Sequence, residues 1–145
     1  MKRILLVEDN GSLSIDLVKK IEELEYSVER VYSYISALGV WEEDQGNYDC
    51  IILDLQINPE GLSLERINIY TPLYGMAFLD KICEGKSQEE ILTLYKKTII
   101  YSGFVKELDA FAQKNNRSLK GIKIVNKTDF SISELIKNIQ RVCNK

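Results

Sequence analysis

Five short apolar segments recur along the chain and predict the strands of a sheet. They span residues 3–7, 26–31, 50–53, 98–101 and 121–125. The segment 50–53 is apolar without interruption, which is typical of a strand covered on both faces of a parallel sheet. The segment 26–31 is more polar, and we therefore expect that strand to lie near an edge.

Segments with apolar residues at helical spacing separate these strands and predict the helices. The first follows Ser12, which is predicted to cap it, and others span residues 33–43, 75–82 and 105–115. Capping-box patterns begin two more helices, at residues 87–90 and 131–134.

This alternation predicts an α/β fold. Five strands separated by helices imply a doubly wound, five-stranded parallel sheet with helices on both faces and right-handed crossovers. The chain has 145 residues and is 45% apolar, which is enough to bury a sizeable core. Residues 1–145 are therefore predicted to form a single domain.

Charge and hydropathy exclude several classes of function. The formal net charge of −3 gives no basic surface of the kind that binds nucleic acid. No apolar run reaches the length of a membrane-spanning helix, and the run after the basic Met1-Lys2-Arg3 is too short for a signal peptide. We expect a cytoplasmic protein that binds neither nucleic acid nor membrane.

The counts of histidine and cysteine exclude further chemistry. The chain has no histidine, which rules out a histidine-containing triad, a histidine-ligated metal and a phosphohistidine of its own. Its three cysteines, Cys50, Cys83 and Cys143, are far apart and odd in number. They therefore indicate neither a disulfide framework nor a zinc site.

Four of the five predicted strands end in side chains that can take part in chemistry. Glu8 and Asp9 follow the first strand, Asp54 the third, Ser102 the fourth and Lys127 the fifth. All strands of a parallel sheet end at the same edge, where open α/β sheets bind ligands. We therefore expect these five side chains to share one site.

Together these side chains predict phosphoryl transfer to Asp54. A carboxylate can attack phosphorus and form an acyl phosphate. Three clustered carboxylates repel one another unless a cation intervenes, and Mg²⁺ prefers such oxygen ligands. Lys127 supplies positive charge for the phosphoryl oxygens, and Ser102 supplies a hydroxyl donor. The alternative is a hydrated polar edge without function.

In this order the motifs resemble those of the receiver domains of two-component response regulators. Ile4-Leu5-Leu6-Val7-Glu8-Asp9-Asn10 is similar to that family's first strand and acidic pair. Tyr48-Asp49-Cys50-Ile51-Ile52-Leu53-Asp54-Leu55 is similar to its phosphoacceptor strand, and Ile99-Ile100-Tyr101-Ser102-Gly103 to its Ser/Thr strand. Lys127 matches its lysine, and Asp129-Phe130-Ser131 before an apolar helix also fits. The resemblance covers nearly the whole chain and implies a flavodoxin-like fold of the receiver type.

The resemblance implies a role for each acidic residue. Asp54 would be phosphorylated by a histidine kinase or phosphotransfer protein, or by a small phosphodonor. Asp9 and Asp54 would bind Mg²⁺ directly, and Glu8 would act mainly through water. The backbone carbonyl of Gln56 would be a further ligand.

The resemblance also implies how such a domain would switch. Lys127 would contact the phosphoryl group, and Ser102 would swing toward it, shifting surface states around the helix at 105–115 and the last strand. A homodimer is expected on this face, if one forms. Phe104 is bulky, and we hypothesise that it hinders the attacking water and prolongs the phosphorylated state. We expect a stand-alone receiver that binds a downstream protein noncovalently and shows no enzyme activity beyond slow autodephosphorylation.

Four features depart from the family pattern. Ile124 stands where an aromatic residue is usual. Thr128 stands where a proline usually follows the lysine through a cis bond, so we expect a trans bond or a strained site. The stretch from Ile57 to Tyr74 is predicted to be an insertion before Gly75, which fits the family's glycine, and residues 85–95 add further length. The insertion is open to three interpretations: a lid over the site, a partner surface or an ordered loop that serves only itself.

Three other functions are alternatives to the phosphorylated receiver. A degenerate receiver would dock partners without phosphorylation, and the departures at Ile124 and Thr128 favour it. A phosphohydrolase of the haloacid-dehalogenase type would need an acid where Gln56 stands. A flavin-binding domain would need a phosphate-binding loop rich in glycine and hydroxyl groups after the first strand, and that loop is absent from the sequence.

Overall fold

The order of strands and helices follows the predicted alternation. The computed structural model describes residues 1–128 and 131–144, so Asp129 and Phe130 of the motif above lie outside it. In this part the strands are β1 (Arg3–Val7), β2 (Ser27–Val31), β3 (Cys50–Leu53), β4 (Thr98–Ser102) and β5 (Lys123–Asn126). The helices are α1 (Gly11–Glu22), α2 (Tyr34–Glu43), α3 (Leu64–Tyr70), α4 (Tyr74–Cys83), α5 (Gln88–Lys96), α6 (Val105–Lys114) and α7 (Ser131–Cys143). None of these helices is long and apolar enough to cross a membrane.

The five strands form one parallel sheet in the order β2-β1-β3-β4-β5. Val7 at the end of β1 lies opposite Val31 of β2 and Leu53 of β3, so the ends of these strands are level. All residues of β3 are buried, whereas β2 lies at an edge and its residues are mostly exposed or half-buried. The predicted doubly wound sheet, its central strand and its edge strand are confirmed.

Apolar side chains pack on both faces of the sheet. On one face Leu5 of β1 belongs to a cluster with Ala37 of α2 and Phe78 of α4. On the other face Leu6 belongs to a cluster with Leu17 of α1 and residues of α7. Because successive residues of a strand point to opposite faces, β1 contributes to both clusters. The predicted placement of helices on both faces is therefore confirmed.

The sequence predicts some helix starts correctly and places two caps wrongly. Ser33 and Ser87 each form a capping box at the start of α2 and α5. The cap of α1 is Asn10, whose side chain accepts a hydrogen bond from the Leu13 N–H, and Ser12 lies inside the helix. Asparagine and serine are both strong N-cap residues, so their order along the chain does not decide which one caps.

The predicted capping box between Ser131 and Glu134 is also wrong. Ser131 is the first residue of α7, and its hydroxyl bonds to the backbone of Thr128 and to the hydroxyl of Tyr101. These three bonds use the full capacity of a hydroxyl group, which leaves none for the Glu134 N–H.

The insertion between β3 and α4 is ordered and contains α3. The Tyr34 N–H donates to the Asn58 carbonyl, and the Tyr70 hydroxyl donates to Asp80, so the insertion is attached to α2 and α4. Leu64 at the start of α3 is 75% exposed. The extra length at residues 85–95 forms most of α5, which connects α4 to β4. The lid and the partner surface stay predictions.

Gly75 lies directly against the backbone of the predicted phosphoryl acceptor. A Cβ atom at this position would lie 2.2 Å from the Asp54 carbonyl oxygen. The Gly75 N–H donates to the Leu55 carbonyl at 2.8 Å. No side chain fits here without movement of the backbone, so glycine is required for α4 to approach the end of β3.

Replacing Gly75 with alanine should therefore destabilise the protein by at least about 1–3 kcal/mol, the usual cost of an overpacked site. Gly39→Ala is the matched control, because Gly39 lies inside α2 with open space around its Cβ position. The control should stabilise the protein by about 0.5–1 kcal/mol. Urea unfolding measures both values, and an unchanged stability of Gly75→Ala would contradict the close approach.

Candidate functional site

The carboxyl edge of the sheet gathers side chains from the ends of β1, β3 and β5. The Asp54 N–H donates to the Val7 carbonyl, which continues the pairing of β1 and β3 by one residue. In the same way the Lys127 N–H donates to the Ser102 carbonyl at 3.0 Å and continues the pairing of β4 and β5. These ladders fix the backbone positions from which the candidate side chains extend.

The ammonium group of Lys127 joins two buried carboxylates. Its Nζ atom lies 2.6 Å from Glu8 Oε1 and 3.0 Å from Asp54 Oδ2. The other Asp54 oxygen accepts the Leu55 N–H at 2.8 Å. Asp9 is exposed, and one carboxylate oxygen from each of the three acids lies within 4.8 Å of the other two. The structure thus brings together four of the five predicted side chains.

Burial and charge change the protonation of this cluster. Burial and the neighbouring carboxylate of Asp54 raise the pKa of Glu8 to about 7, although Lys127 acts in the opposite direction. Burial and the charge of Asp54 also raise the pKa of Asp9. Burial alone would lower the pKa of Lys127, but the two carboxylates outweigh it and the pKa is raised. One ammonium group is therefore shared by an acidic cluster whose charges still repel one another.

The oxygen atoms of the cluster fit a hard divalent cation. Glu8 Oε2 is buried and has no hydrogen-bond partner within the described residues. Gln56, two residues past Asp54, has a carbonyl that accepts no hydrogen bond from the described part of the chain. A buried carboxylate oxygen without a partner is costly, and Mg²⁺ takes oxygen ligands of this kind. Glu8, Asp9 and Asp54 therefore form a candidate metal site.

Ser102 is the predicted side chain that the structure does not bring into contact with the cluster. It is fully buried at the end of β4, and its hydroxyl accepts the Phe104 N–H at 3.2 Å. In this conformation it donates to none of the site's side chains among the described residues. Accepting this bond leaves the Ser102 hydrogen free to donate. The expectation that Ser102 serves the site therefore requires its hydroxyl to come within reach of the acidic cluster.

The departures from the family pattern have defined positions. Ile124 is half-buried and packs on the same face as α2 and α4. The Lys127–Thr128 bond is trans, because the one cis peptide bond in the described ranges precedes Pro72.

Sequence reasoning missed Tyr101, whose ring centroid lies 5.4 Å from Lys127 Nζ. Its only signal was an aromatic residue at the end of an apolar strand.

A cavity of about 720 Å³ lies away from this cluster. It is lined by α4, α5 and the loop between α6 and β5, and it includes the ion pair of Asp80 and Arg117 at 2.6 Å. These elements meet at the amino ends of β4 and β5, so the cavity lies at the edge opposite the acidic cluster. Its lining shares no residue with the candidate site.

Solved structures of similar fold are receiver domains. The non-phosphorylated HemR receiver domain from Leptospira biflexa aligns with a TM-score of 0.67 and 20% identity, over 100% of this chain and 96% of that one. TrrA from Thermotoga maritima, a response regulator solved in complex with Mg²⁺ and BeF, aligns with a TM-score of 0.62 and 20% identity, over 98% and 99%. The receiver domain of a sensor histidine kinase from Pseudomonas aeruginosa, with a magnesium ion in its active-site cleft, gives 0.61 and 18%, over 99% and 98%.

The fold of this chain is therefore that of response-regulator receiver domains, as the sequence motifs predicted. No protein-family model and no curated protein matches the sequence. The likeness to the solved structures establishes the fold, and an argument about function rests on the acidic cluster and Lys127.

Glu8 predicts a pH dependence of stability in the metal-free protein. Its pKa is about 7 in the folded chain, against an ordinary value of 4.5. The folded state binds more protons than the unfolded state between these values, so stability should fall as pH rises through this window. Glu8→Gln has no titratable carboxyl at this position, so it should lack this part of the decrease in stability with rising pH. Thermal unfolding in a chelating buffer across the window measures it, and parallel curves for the two proteins would contradict the raised pKa.

Proposed function

We propose that this chain is a phosphorylatable receiver and that Asp54 accepts the phosphoryl group with Mg²⁺. The observation that supports this most is the contact of 3.0 Å between Lys127 Nζ and Asp54 Oδ2 beside two further acids, at the carboxyl edge of a receiver-fold sheet. Phosphoryl transfer needs positioning and neutralisation of charge more than covalent assistance. A strand-end carboxylate beside a fixed ammonium group supplies both.

Asp54 would be the nucleophile. Its carboxylate oxygen forms a bond to the phosphorus of the donor, and the bond from phosphorus to the leaving group breaks, with the electron pair departing on that group. Lys127, which holds Glu8 and Asp54 in the resting state, would then donate hydrogen bonds to the new phosphoryl oxygens. The ammonium group thus balances charge both before and after transfer.

The acidic residues would hold the metal ion. Asp9 and Asp54 are the direct carboxylate ligands, Glu8 acts mainly through water, and the Gln56 carbonyl is a further ligand. Bound Mg²⁺ would neutralise charge on the phosphoryl and carboxylate oxygens. The unpartnered Glu8 Oε2 and the unused Gln56 carbonyl support this ligand set, and two structures of the same fold contain Mg²⁺.

The switch would begin at Ser102. Its hydroxyl would leave the Phe104 N–H and donate to the phosphoryl group, and the change would reach the surface of α6 and β5. The phosphodonor would be a histidine kinase, a phosphotransfer protein or a small molecule, and one similar structure is itself part of a sensor histidine kinase. We place this exchange in the cytoplasm. The output is binding of a downstream protein, or a homodimer on the same face, without enzymatic turnover beyond slow autodephosphorylation.

The second candidate is a receiver that docks partners without being phosphorylated. The hydroxyl of Ser102 is engaged by the Phe104 N–H, and aliphatic Ile124 stands where an aromatic switch residue would be expected. The aliphatic side chain favours a domain that does not switch, whereas the Ser102 hydrogen stays free to donate. Phosphorylation in solution separates the two candidates.

Incubation with acetyl phosphate and Mg²⁺ should add one phosphoryl group to the wild-type chain, as read by intact-protein mass spectrometry. Asp54→Asn should gain none, because the amide is not a nucleophile of this kind. Asp109→Asn is the matched control, since Asp109 is exposed on α6 and lies outside the site. Absence of uptake by the wild type, or equal uptake by Asp54→Asn, would contradict the proposal.

Phe104 predicts a long-lived phosphorylated state. Its ring is half-buried at the start of α6, two residues after Ser102, where it would limit the approach of water to Asp54. The phosphorylated wild type should decay over minutes or longer in Mg²⁺ buffer after removal of the donor, and Phe104→Ala should decay severalfold faster. A wild-type half-life of seconds would contradict this hypothesis.

A further inference from the structure

The loop that follows β5 is attached at two points on either side of Lys127. On one side the Lys127 N–H donates to the Ser102 carbonyl at 3.0 Å. On the other side Thr128 is bound twice by one hydroxyl, since Ser131 Oγ accepts the Thr128 N–H at 3.0 Å and donates to the Thr128 carbonyl at 2.8 Å. The backbone on both sides of the lysine is therefore fixed by specific hydrogen bonds.

Tyr101 completes the hydrogen bonding of Ser131. The two hydroxyl oxygens lie 2.7 Å apart, and both residues are 3% exposed. A serine hydroxyl has one hydrogen and two acceptor positions. Because its hydrogen is given to the Thr128 carbonyl, the Tyr101 hydroxyl must donate to Ser131. Removing the tyrosine hydroxyl would leave a buried acceptor position of Ser131 empty.

The ring of Tyr101 also faces the lysine side chain. Tyr101 lies opposite Val125 in the pairing of β4 with β5, and Lys127 follows Val125 by two residues on the same face. The Lys127 Nζ atom lies 5.4 Å from the ring centroid, within the range of a cation–π contact. The ring of Tyr101 thus contacts the ammonium group of Lys127. The hydroxyl of Tyr101 acts on the backbone next to Lys127 through the hydroxyl of Ser131.

We propose that Tyr101 is a positioning residue for Lys127 and acts through the hydroxyl of Ser131 and the backbone of Thr128. In this chain the Lys127–Thr128 bond is trans and is followed by no proline ring. The bonds among Tyr101, Ser131 and Thr128 supply the restraint on the loop instead. This inference rests on the proposed function, because the task of the positioned lysine is to meet the phosphoryl oxygens.

The test compares rates of phosphorylation by acetyl phosphate in Mg²⁺ buffer, followed by intact-protein mass spectrometry. Tyr101→Phe removes only the hydroxyl and should slow uptake roughly three- to tenfold, the effect of losing one hydrogen bond that orients a reacting group. Ser131→Ala should slow uptake to a similar extent. Tyr95→Phe is the matched control, because Tyr95 is buried and its hydroxyl accepts from Arg117, far from the site. The control should leave the rate unchanged.

The same substitution in a Lys127→Ala background shows whether Tyr101 acts through the lysine. There Tyr101→Phe should change the remaining rate by less than about twofold, because two residues that act as a unit are not additive. If Tyr101→Phe instead caused a general loss of structure, it would slow phosphoryl uptake equally with and without Lys127, and it would weaken Mg²⁺ binding. We expect Mg²⁺ binding by Tyr101→Phe, measured by calorimetry, to be unchanged.

The outcomes distinguish a failure of this inference from a failure of the proposed function. A wild type that takes up phosphoryl groups while Tyr101→Phe behaves as Tyr95→Phe would overturn the inference alone. An equal slowing in the presence and absence of Lys127 would overturn it as well. A wild type that takes up no phosphoryl group would overturn the proposed function and, with it, the role assigned to Tyr101.

Discussion

The contact of one ammonium group with two buried carboxylates is the interaction on which this site depends. Lys127 lies within hydrogen-bonding distance of Glu8 and Asp54, which are almost completely buried. Carboxylates this close would otherwise hold one another protonated, and removing one partner from a buried charge cluster is strongly unfavourable. Under the proposed function, the same ammonium group that stabilises the resting cluster would meet the incoming phosphoryl charge. The contact of Lys127 with Glu8 and Asp54 therefore serves both the stability of the folded cluster and the proposed function.

The rest of the fold brings the partners of that contact together. Parallel pairing makes β1, β3 and β5 end at one edge, and Gly75 lets α4 pass within contact of the Asp54 backbone. The described hydrogen bonds of the insertion attach it to α2 and α4. Extra chain length has thus been added beside the sheet and at its opposite edge, where α5 lines a cavity. The additions leave the side chains of the acidic edge, which the proposed phosphoryl transfer would use, in place.

Most of the fold, and the meeting of four of the five candidate side chains at one edge, could be predicted because they follow from local pattern and sheet topology. Uninterrupted apolar runs marked the strands, and parallel pairing placed Asp54 and Lys127 together. Caps were less predictable, since Asn10 and Ser12 are similar in N-cap preference and their order along the chain does not decide between them. The contacts of Tyr101 and Ser131 could not be predicted, because they join residues 30 positions apart through side-chain geometry alone. The hydrogen bond that the Ser102 hydroxyl accepts from the Phe104 N–H could not be predicted either.

In the proposed function Glu8, Asp9, Asp54 and Lys127 form one site for a divalent ion and a phosphoryl group. The most direct measurement is a crystal structure grown with Mn²⁺ in place of Mg²⁺, because the anomalous signal of manganese locates the ion without assumptions about ligands. We expect an ion bound by the oxygens of Asp9 and Asp54, with the lysine ammonium still beside Asp54. An ion bound elsewhere, or a lysine side chain directed away from the acidic residues, would contradict it.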